Sequence, residues 1–218
     1  AIFQTLPVLK YAGFDRMDFE GAWDFGRKAS LEYRSLPAEK PGFTSACLKD
    51  SGNYYLRESW EENANLLHFT CGAMSTGHCH GDKLHVDLVL NGEDVLVDGG
   101  RSTYKDILLR FELKGNMGHN TTIVDKKPFT TFTDSWDTRK LSLPVNRSFH
   151  TGKKAEFVQG GHLGYISEGI FVNRRIIWIK PDIYLINDQF YASGEHEYRQ
   201  YFHFAPEGCV SEENGLLT

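Results

Sequence analysis

Two histidines stand one residue apart in Gly77-His78-Cys79-His80-Gly81-Asp82-Lys83-Leu84. In extended backbone, residues two apart project to the same side, so His78 and His80 would present their imidazoles together. A carboxylate follows in Val97-Asp98-Gly99-Gly100, where the return strand of a hairpin would turn Asp98 toward the pair across the ladder. Two imidazoles and a carboxylate suit a divalent transition metal. Zinc leads, because it accepts histidine nitrogen and aspartate oxygen at ~2.0–2.2 Å without redox chemistry. Plainer readings stand beside this one. One histidine could lie at the surface and the other be bonded to backbone in the core, and Asp98 could serve only the turn before Gly99-Gly100.

A second polar cluster, Gly118-His119-Asn120-Thr121-Thr122, leads into Ile123-Val124. His119 has three candidate roles: metal ligand, donor to a substrate carboxylate, or structural residue fixing its loop. Asn120 reads as structural, its side chain bonding backbone where the strand begins. Arg101, Tyr104 and Arg110 lie between the clusters in a polar stretch that reads as loop, and loops on rigid sheets concentrate binding groups. Alternatively, Arg110 pairs with a carboxylate and Tyr104 packs on the sheet. Cys79 is expected to face away from the histidines into the sheet. Together with Cys47, Cys71 and Cys209 it has irregular spacing that defines no disulfide framework.

The elements that position these groups read as strands. Leu84, Val86, Leu88 and Leu90 alternate with His85, Asp87 and Val89 before Asn91-Gly92, a strong hairpin signal because both turn positions tolerate positive φ. Further strands are expected at 54–58, 65–70, 121–124, 156–159, 170–179, 183–191 and 197–204. Strands without intervening helices imply an antiparallel sandwich or barrel. One amphipathic helix is expected from Met17 to Leu36, stopped by Pro37, and the architecture changes near residue 40.

The chain of 218 residues carries a net charge of −5 with its lysines and arginines dispersed, which argues against a nucleic-acid surface. A polyanion would need a local cationic cleft. The opening, Ala1 to Pro7, has no signal-peptide pattern, and no run approaches the ~20 apolar residues of a membrane span. The absence of an initiator Met and an end at Thr218 just past a turn read as a piece of a longer protein.

Taken in order, Asp50-Ser51-Gly52-Asn53-Tyr54-Tyr55-Leu56-Arg57, Gly77 to Leu84, Asn91-Gly92-Glu93, Asp98-Gly99, Tyr104 and His119-Asn120-Thr121 resemble the C-terminal sheet domain of heparinase II/III-like polysaccharide lyases. The resemblance implies a mainly β fold: a large, supersandwich-like antiparallel β-sandwich over residues 42–218, preceded by a helical segment over 1–41 that resembles the end of an upstream α/α-toroid. It implies cleavage of uronic-acid polysaccharides by β-elimination, with an acidic polysaccharide and the toroid as partners, and no activity from this chain alone. It assigns catalysis to His78 and Tyr104, substrate binding to Arg110 and His119, and a structural divalent metal, zinc foremost, to His80 and Asp98. A third ligand is sought among Asp134, Asp137, His150 or a backbone oxygen near Trp136. It favours a periplasmic or secreted location, with the cytoplasm left open. Two other classes compete. A cupin metal enzyme would need a Glu shortly after the histidine pair, where Lys83 and Leu84 stand. A carbohydrate-binding sandwich would stack sugar on exposed Trp60, Trp136 and Trp178.

Overall fold

The structure is a computed structural model describing residues 2–14, 19–74, 77–208 and 210–217. Ala1, Met17, Cys209 and Thr218 lie outside the described residues. Contacts divide the chain into two compact units, Ala1–Thr44 and Ser45–Thr218. None of the described helices is long and apolar enough to cross a membrane.

The first unit holds two helices, α1 (Ile2–Tyr11) and α2 (Phe19–Ser35). The expected helix is α2, interrupted at Gly26, whose φ of 82° and ψ of 166° leave helical space. α1 escaped the sequence reading because Pro7 sits inside it and reads as a breaker. The Lys10 ammonium donates to the carbonyls of Arg34 (2.8 Å) and Leu36 (2.6 Å), satisfying acceptors left open at the end of α2.

The second unit is mainly β. Strands β1 (Ala46–Leu48), β2 (Asn53–Arg57), β3 (Leu66–Thr70), β4 (Val86–Leu90) and β5 (Glu93–Leu96) make a five-stranded antiparallel sheet in sequence order. The chain then forms helix α3 (Leu108–Lys114), β6 (Thr122–Val124) and the small pair β7 (Thr131–Phe132) and β8 (Thr138–Lys140). Strands β9 (Pro144–His150), β10 (Ala155–His162), β11 (Phe171–Ile179) and β12 (Ile183–Tyr191) build a four-stranded antiparallel sheet. Strand β13 (Tyr198–Gln200) pairs with β6, and β14 (Glu212–Glu213) pairs with β15 (Leu216–Leu217).

The two large sheets pack as a sandwich because each turns an alternating apolar face inward. Tyr54, Leu56, Leu67, Phe69, Val86 and Leu88 from one sheet share a single buried cluster with Val158, Val172, Ile176 and Trp178 from the other. Each such side chain contributes roughly 1.5–3 kcal/mol on burial. The sheets approach closely at Gly160, where a Cβ would lie 2.6 Å from the Cys71 sulfur. Trp178, offered as an exposed sugar platform, is fully buried in this core.

The expected hairpin is present: Leu90 pairs with Glu93 across Asn91 (φ 53°) and Gly92 (φ 80°). The alternation misplaces its start, because Leu84 is not in the strand but in left-handed space at φ 64°, unusual for a bulky residue. Two bonds hold that kink. The Leu84 N–H donates to the Thr70 carbonyl (2.9 Å), and the Leu84 carbonyl accepts from the Arg174 guanidinium (2.7 Å). Fully buried Arg174 also donates to both Asp188 oxygens at 2.7 Å, to the Asn120 carbonyl at 2.6 Å and to the Thr122 hydroxyl at 3.2 Å. The Asn120 amide bridges the Val86 (2.8 Å) and Val97 (3.1 Å) carbonyls, the backbone-bonding role read from the sequence.

The expected polar loop around Arg110 is instead α3, a short helix with three large apolar residues in its first turn and the residue before it. Strand β9 was missed because it opens on Pro144 and contains Asn146 at φ 55°, both loop signals.

Replacing Arg174 with Met should destabilise the chain by about 3–5 kcal/mol, because Asp188 is left buried without its cation. Adding Asp188→Leu should recover part of that loss in urea denaturation. A single-variant loss below about 1 kcal/mol would contradict this assignment.

Candidate functional site

A cleft of about 420 Å3 opens beside the β3–β4 connection, with His78, Cys79, His80, Lys83, Asp98 and His119 among its lining residues. Three loops converge there. His78 and His80 come from the β3–β4 connection, Asp98 lies two residues beyond β5, and His119 follows a 3-10 turn at Asn116–Gly118. The segment carrying the histidine pair is irregular rather than strand, and Gly77 turns it through φ 84°. Cys79 therefore lines the cleft with both histidines instead of facing into the sheet.

Donor atoms of His80, Asp98 and His119 lie within 4.8 Å of one another. The His119 Nδ1–H donates to Asp98 Oδ2 at 2.7 Å, which leaves Nε2 as the bare nitrogen, and that atom is sealed and without a partner. Burial works to raise the Asp98 pKa, but the His119 hydrogen bond and charge and the Gly100 N–H outweigh it and hold the carboxyl below its ordinary value. Burial, helped by His119 and Arg110, lowers the His80 pKa to about 4. An ionised carboxylate, a neutral imidazole and an orphaned imidazole nitrogen are the donor states a divalent ion requires. One bond competes, since Arg110 Nη1–H donates to His80 Nε2 at 3.2 Å.

His119 thus stands where a third ligand was sought. It is 1% exposed and bonded to Asp98, and it is among the residues lining the cleft. Asp134 instead accepts the backbone N–H groups of Trp136 (2.7 Å) and Asp137 (2.8 Å) in a local turn. His150 sits on β9 beside Phe157. Arg110 is also 1% exposed, its guanidinium bonded to His80 and 5.7 Å from the centre of the Tyr104 ring. The sequence could not place His119, because only the course of α3 and its following turn brings residue 119 back to Asp98.

His78 belongs to a different set of neighbours. Its Nδ1 lies 3.3 Å from the Tyr104 hydroxyl, and its ring meets Tyr104 and Trp136 edge-on at 5.5 and 5.4 Å. Tyr104 and Trp136 stack on each other at 4.9 Å, with the Arg101 guanidinium 4.1 Å over the Tyr104 ring. Both aromatics stay partly open, 37% and 48% exposed. Fully buried Lys114 locks the two loops together, donating to the Gly77 (3.2 Å) and Ser135 (2.6 Å) carbonyls, while the Gly77 N–H donates to the Trp136 carbonyl at 2.8 Å.

Beside His80, Asp98 and His119 runs a row of groups that the sequence reading did not use. His85 Nδ1 accepts the Asn120 N–H at 2.9 Å, so its proton is on Nε2 and donates to Asp87 Oδ1 at 2.8 Å. Asp98 Oδ2 lies 3.5 Å from the same nitrogen. The other Asp87 oxygen meets His68 Nδ1 at 2.9 Å. Burial raises the Asp87 pKa, but the two imidazoles overcome it and keep the carboxyl well below the usual carboxylate range. The signal was available: His85 and Asp87 are two apart, and Asp87 pairs with His68 across β3 and β4.

The model of the family described as Heparinase II/III-like, C-terminal matches residues 40–218. Among solved structures, the chain is similar to a heparan sulfate lyase HepC mutant from Pedobacter heparinus, at 15% identity and a TM-score of 0.70, over 95% of this chain and 31% of that one. It is likewise similar to the Heparinase III-BT4657 gene product, at 16% identity and a TM-score of 0.70, over 94% and 30% of the two chains. A structure of heparinase III shares 18% identity at a TM-score of 0.65, over 82% and 27%. These likenesses show the fold, and this chain spans less than a third of each of those proteins. No curated protein matches.

A histidine held neutral to about pH 4 when folded, against 6.5 ordinarily, contributes stability that is full above about pH 6.5 and is lost as pH falls toward 4, since the unfolded chain takes up the proton first. In chelator-treated protein, wild type should therefore lose more Tm over that window than His80→Asn. Parallel pH curves would contradict the buried, neutral His80.

Proposed function

We propose, from the premise that this chain belongs to the Heparinase II/III-like, C-terminal family, that it forms the β-sheet wall of a polysaccharide-lyase active site. The observation that carries this reading is the His78–Tyr104 contact at 3.3 Å in an open, aromatic mouth beside a candidate metal cluster. The solved structures it resembles are described as heparinases and a heparan sulfate lyase, which supports an acidic, uronic-acid-containing polysaccharide as substrate.

Lyase chemistry by β-elimination has three requirements. The uronate carboxylate must be neutralised, a base must remove the adjacent proton, and an acid must protonate the departing glycosidic oxygen. His78 and Tyr104 face each other through groups that exchange a proton, so either can hold it while the other acts. The stacked Tyr104 and Trp136 rings offer faces for a sugar ring. His80, Asp98 and His119 would hold a structural divalent ion, zinc foremost. When bound, that ion supplies a crosslink among three loops and no step of the elimination. Arg110 keeps His80 and Tyr104 in place.

The remaining catalytic groups would come from an upstream α/α-toroid, of which the first unit would be the end. Trp23, Phe25 and Leu31 on α2 are 78%, 65% and 52% exposed, apolar surface of the kind that a larger helical layer covers. A cleft between two domains loses its chemistry when one is missing, so this chain alone should be inactive. A cupin reading loses its support, since the cluster contains no Glu. A sugar-binding module without turnover remains the second reading, favoured by the Tyr104–Trp136 stack.

With the complete protein on heparan sulfate and related uronates, unsaturated product should raise ultraviolet absorbance, and His78→Ala should cut kcat about 100-fold or more with Tm unchanged. Product from the isolated 218-residue chain, or a His78→Ala loss under about threefold, would sink the reading. Glycan retention without product would leave the binding module. Elemental analysis should find about one divalent ion per chain, absent from His119→Ala. Equal metal content in both proteins would remove the proposed centre.

A further inference from the structure

The cleft beside His78 and His80 holds two more charged groups, Asp82 and Lys83, used neither by the His78–Tyr104 pair nor by the candidate metal cluster, and among the described residues Lys83 is its one lysine or arginine. Lys83 lines the cleft and is only 2% exposed. Among the described residues its ammonium has no hydrogen-bond or ion-pair partner. It is also not one of the sealed partnerless atoms, which include Arg110 Nε and His119 Nε2, so it opens onto the cleft rather than onto packed protein. Asp82 acts on it through charge without closing an ion pair.

A structural lysine at this depth would pair, because a buried ammonium without a counterion loses hydration and gains nothing in return. The backbone that carries Lys83 is fixed in place. Its carbonyl accepts the Thr121 hydroxyl at 2.6 Å, and the next residue, Leu84, is pinned in left-handed backbone by Thr70 and Arg174. Ser51, Asn53 and Thr70 line the same cleft. At about 420 Å3, the space lies within the roughly 300–1,000 Å3 of small-ligand sites.

We propose that Lys83 is the anion anchor of this cleft, taking an oxyanion substituent of a sugar, carboxylate or sulfate, in the space it lines together with His78 and His80. The identity of that sugar as substrate rests on the lyase reading; the anion site does not. The ligand supplies the counterion that the fold withholds, and a compact ammonium accepts either anion without the planar match a guanidinium demands. Lys83 is then a positioning residue, setting which sugar ring faces His78, and it gives this net-negative chain a local cationic point for an acidic polymer.

The test is calorimetric titration of the full chain at fixed ionic strength with three probes: sodium glucuronate, N-acetylglucosamine 6-sulfate and neutral glucose. Wild type should bind an anionic sugar saturably, at roughly millimolar Kd, and glucose not at all. Glucuronate alone identifies a carboxylate anchor, the sulfated sugar alone a sulfate anchor, and both a general oxyanion site. Lys83→Met should weaken that binding at least tenfold while keeping or raising Tm, since it removes an unpaired buried charge. In wild-type protein, which needs no variant to fold, the His78 and His80 ring NMR signals should shift with the anionic sugar and not with glucose. Binding unchanged in Lys83→Met, no preference over glucose, or anion binding that leaves both histidine signals still would each overturn the proposal. Anion binding without product from the complete protein would instead overturn the lyase reading and keep the anchor.

Discussion

The Arg174 guanidinium reaches from the second sheet to the carbonyls of Leu84 and Asn120 while both Asp188 oxygens hold it at 2.7 Å, and the cleft depends on that reach. A buried arginine is stable only when its donors are satisfied and its charge is paired. Here the groups that satisfy it are the backbone of the two segments that carry the candidate chemistry. Leu84 ends the histidine segment, and Asn120 directly follows His119. The ion pair therefore helps fix the separation between two loops that the Thr121–Lys83 and Asn120–His85 bonds also join.

From that anchor the rest follows locally. Leu84 is held at φ 64°, which swings the residues before it away from the sheet plane and lets His78, Cys79, His80 and Lys83 all line one cleft. Asn120 ties the start of β4 at Val86 to Val97, just past the end of β5, bringing Asp98 to His119. Beside them, the His85–Asp87–His68 row gives every buried imidazole in that row an oxygen to face. The arrangement separates two sets of groups: a partly buried cluster with the donor states of a metal site, and a more exposed histidine–tyrosine contact.

Much of this was legible in the chain. The Asn91-Gly92 turn, the alternation around it and the strand at Ile183–Tyr191 follow from local backbone preference and period, so one sequence suffices to place them. His80 and Asp98 could be named together through the family resemblance, although the histidine segment is irregular rather than strand. What escaped depended on longer reach. His119 joins the cluster only through the path of α3, and Leu84 leaves the strand because a residue ninety positions away holds its carbonyl. Helix α1 was hidden by Pro7, and β9 by Pro144 and Asn146. In each case a tertiary contact overrode a local signal.

The account stands on three loops converging to present His80, Asp98 and His119 as one donor set, with Cys79 in the same cleft but outside it. Zinc-edge X-ray absorption of the zinc-loaded chain measures that set directly. The account predicts a first shell of imidazole nitrogen and carboxylate oxygen at ~2.0–2.2 Å and no sulfur. A sulfur scatterer at ~2.3 Å would make Cys79 a ligand and contradict the convergence described.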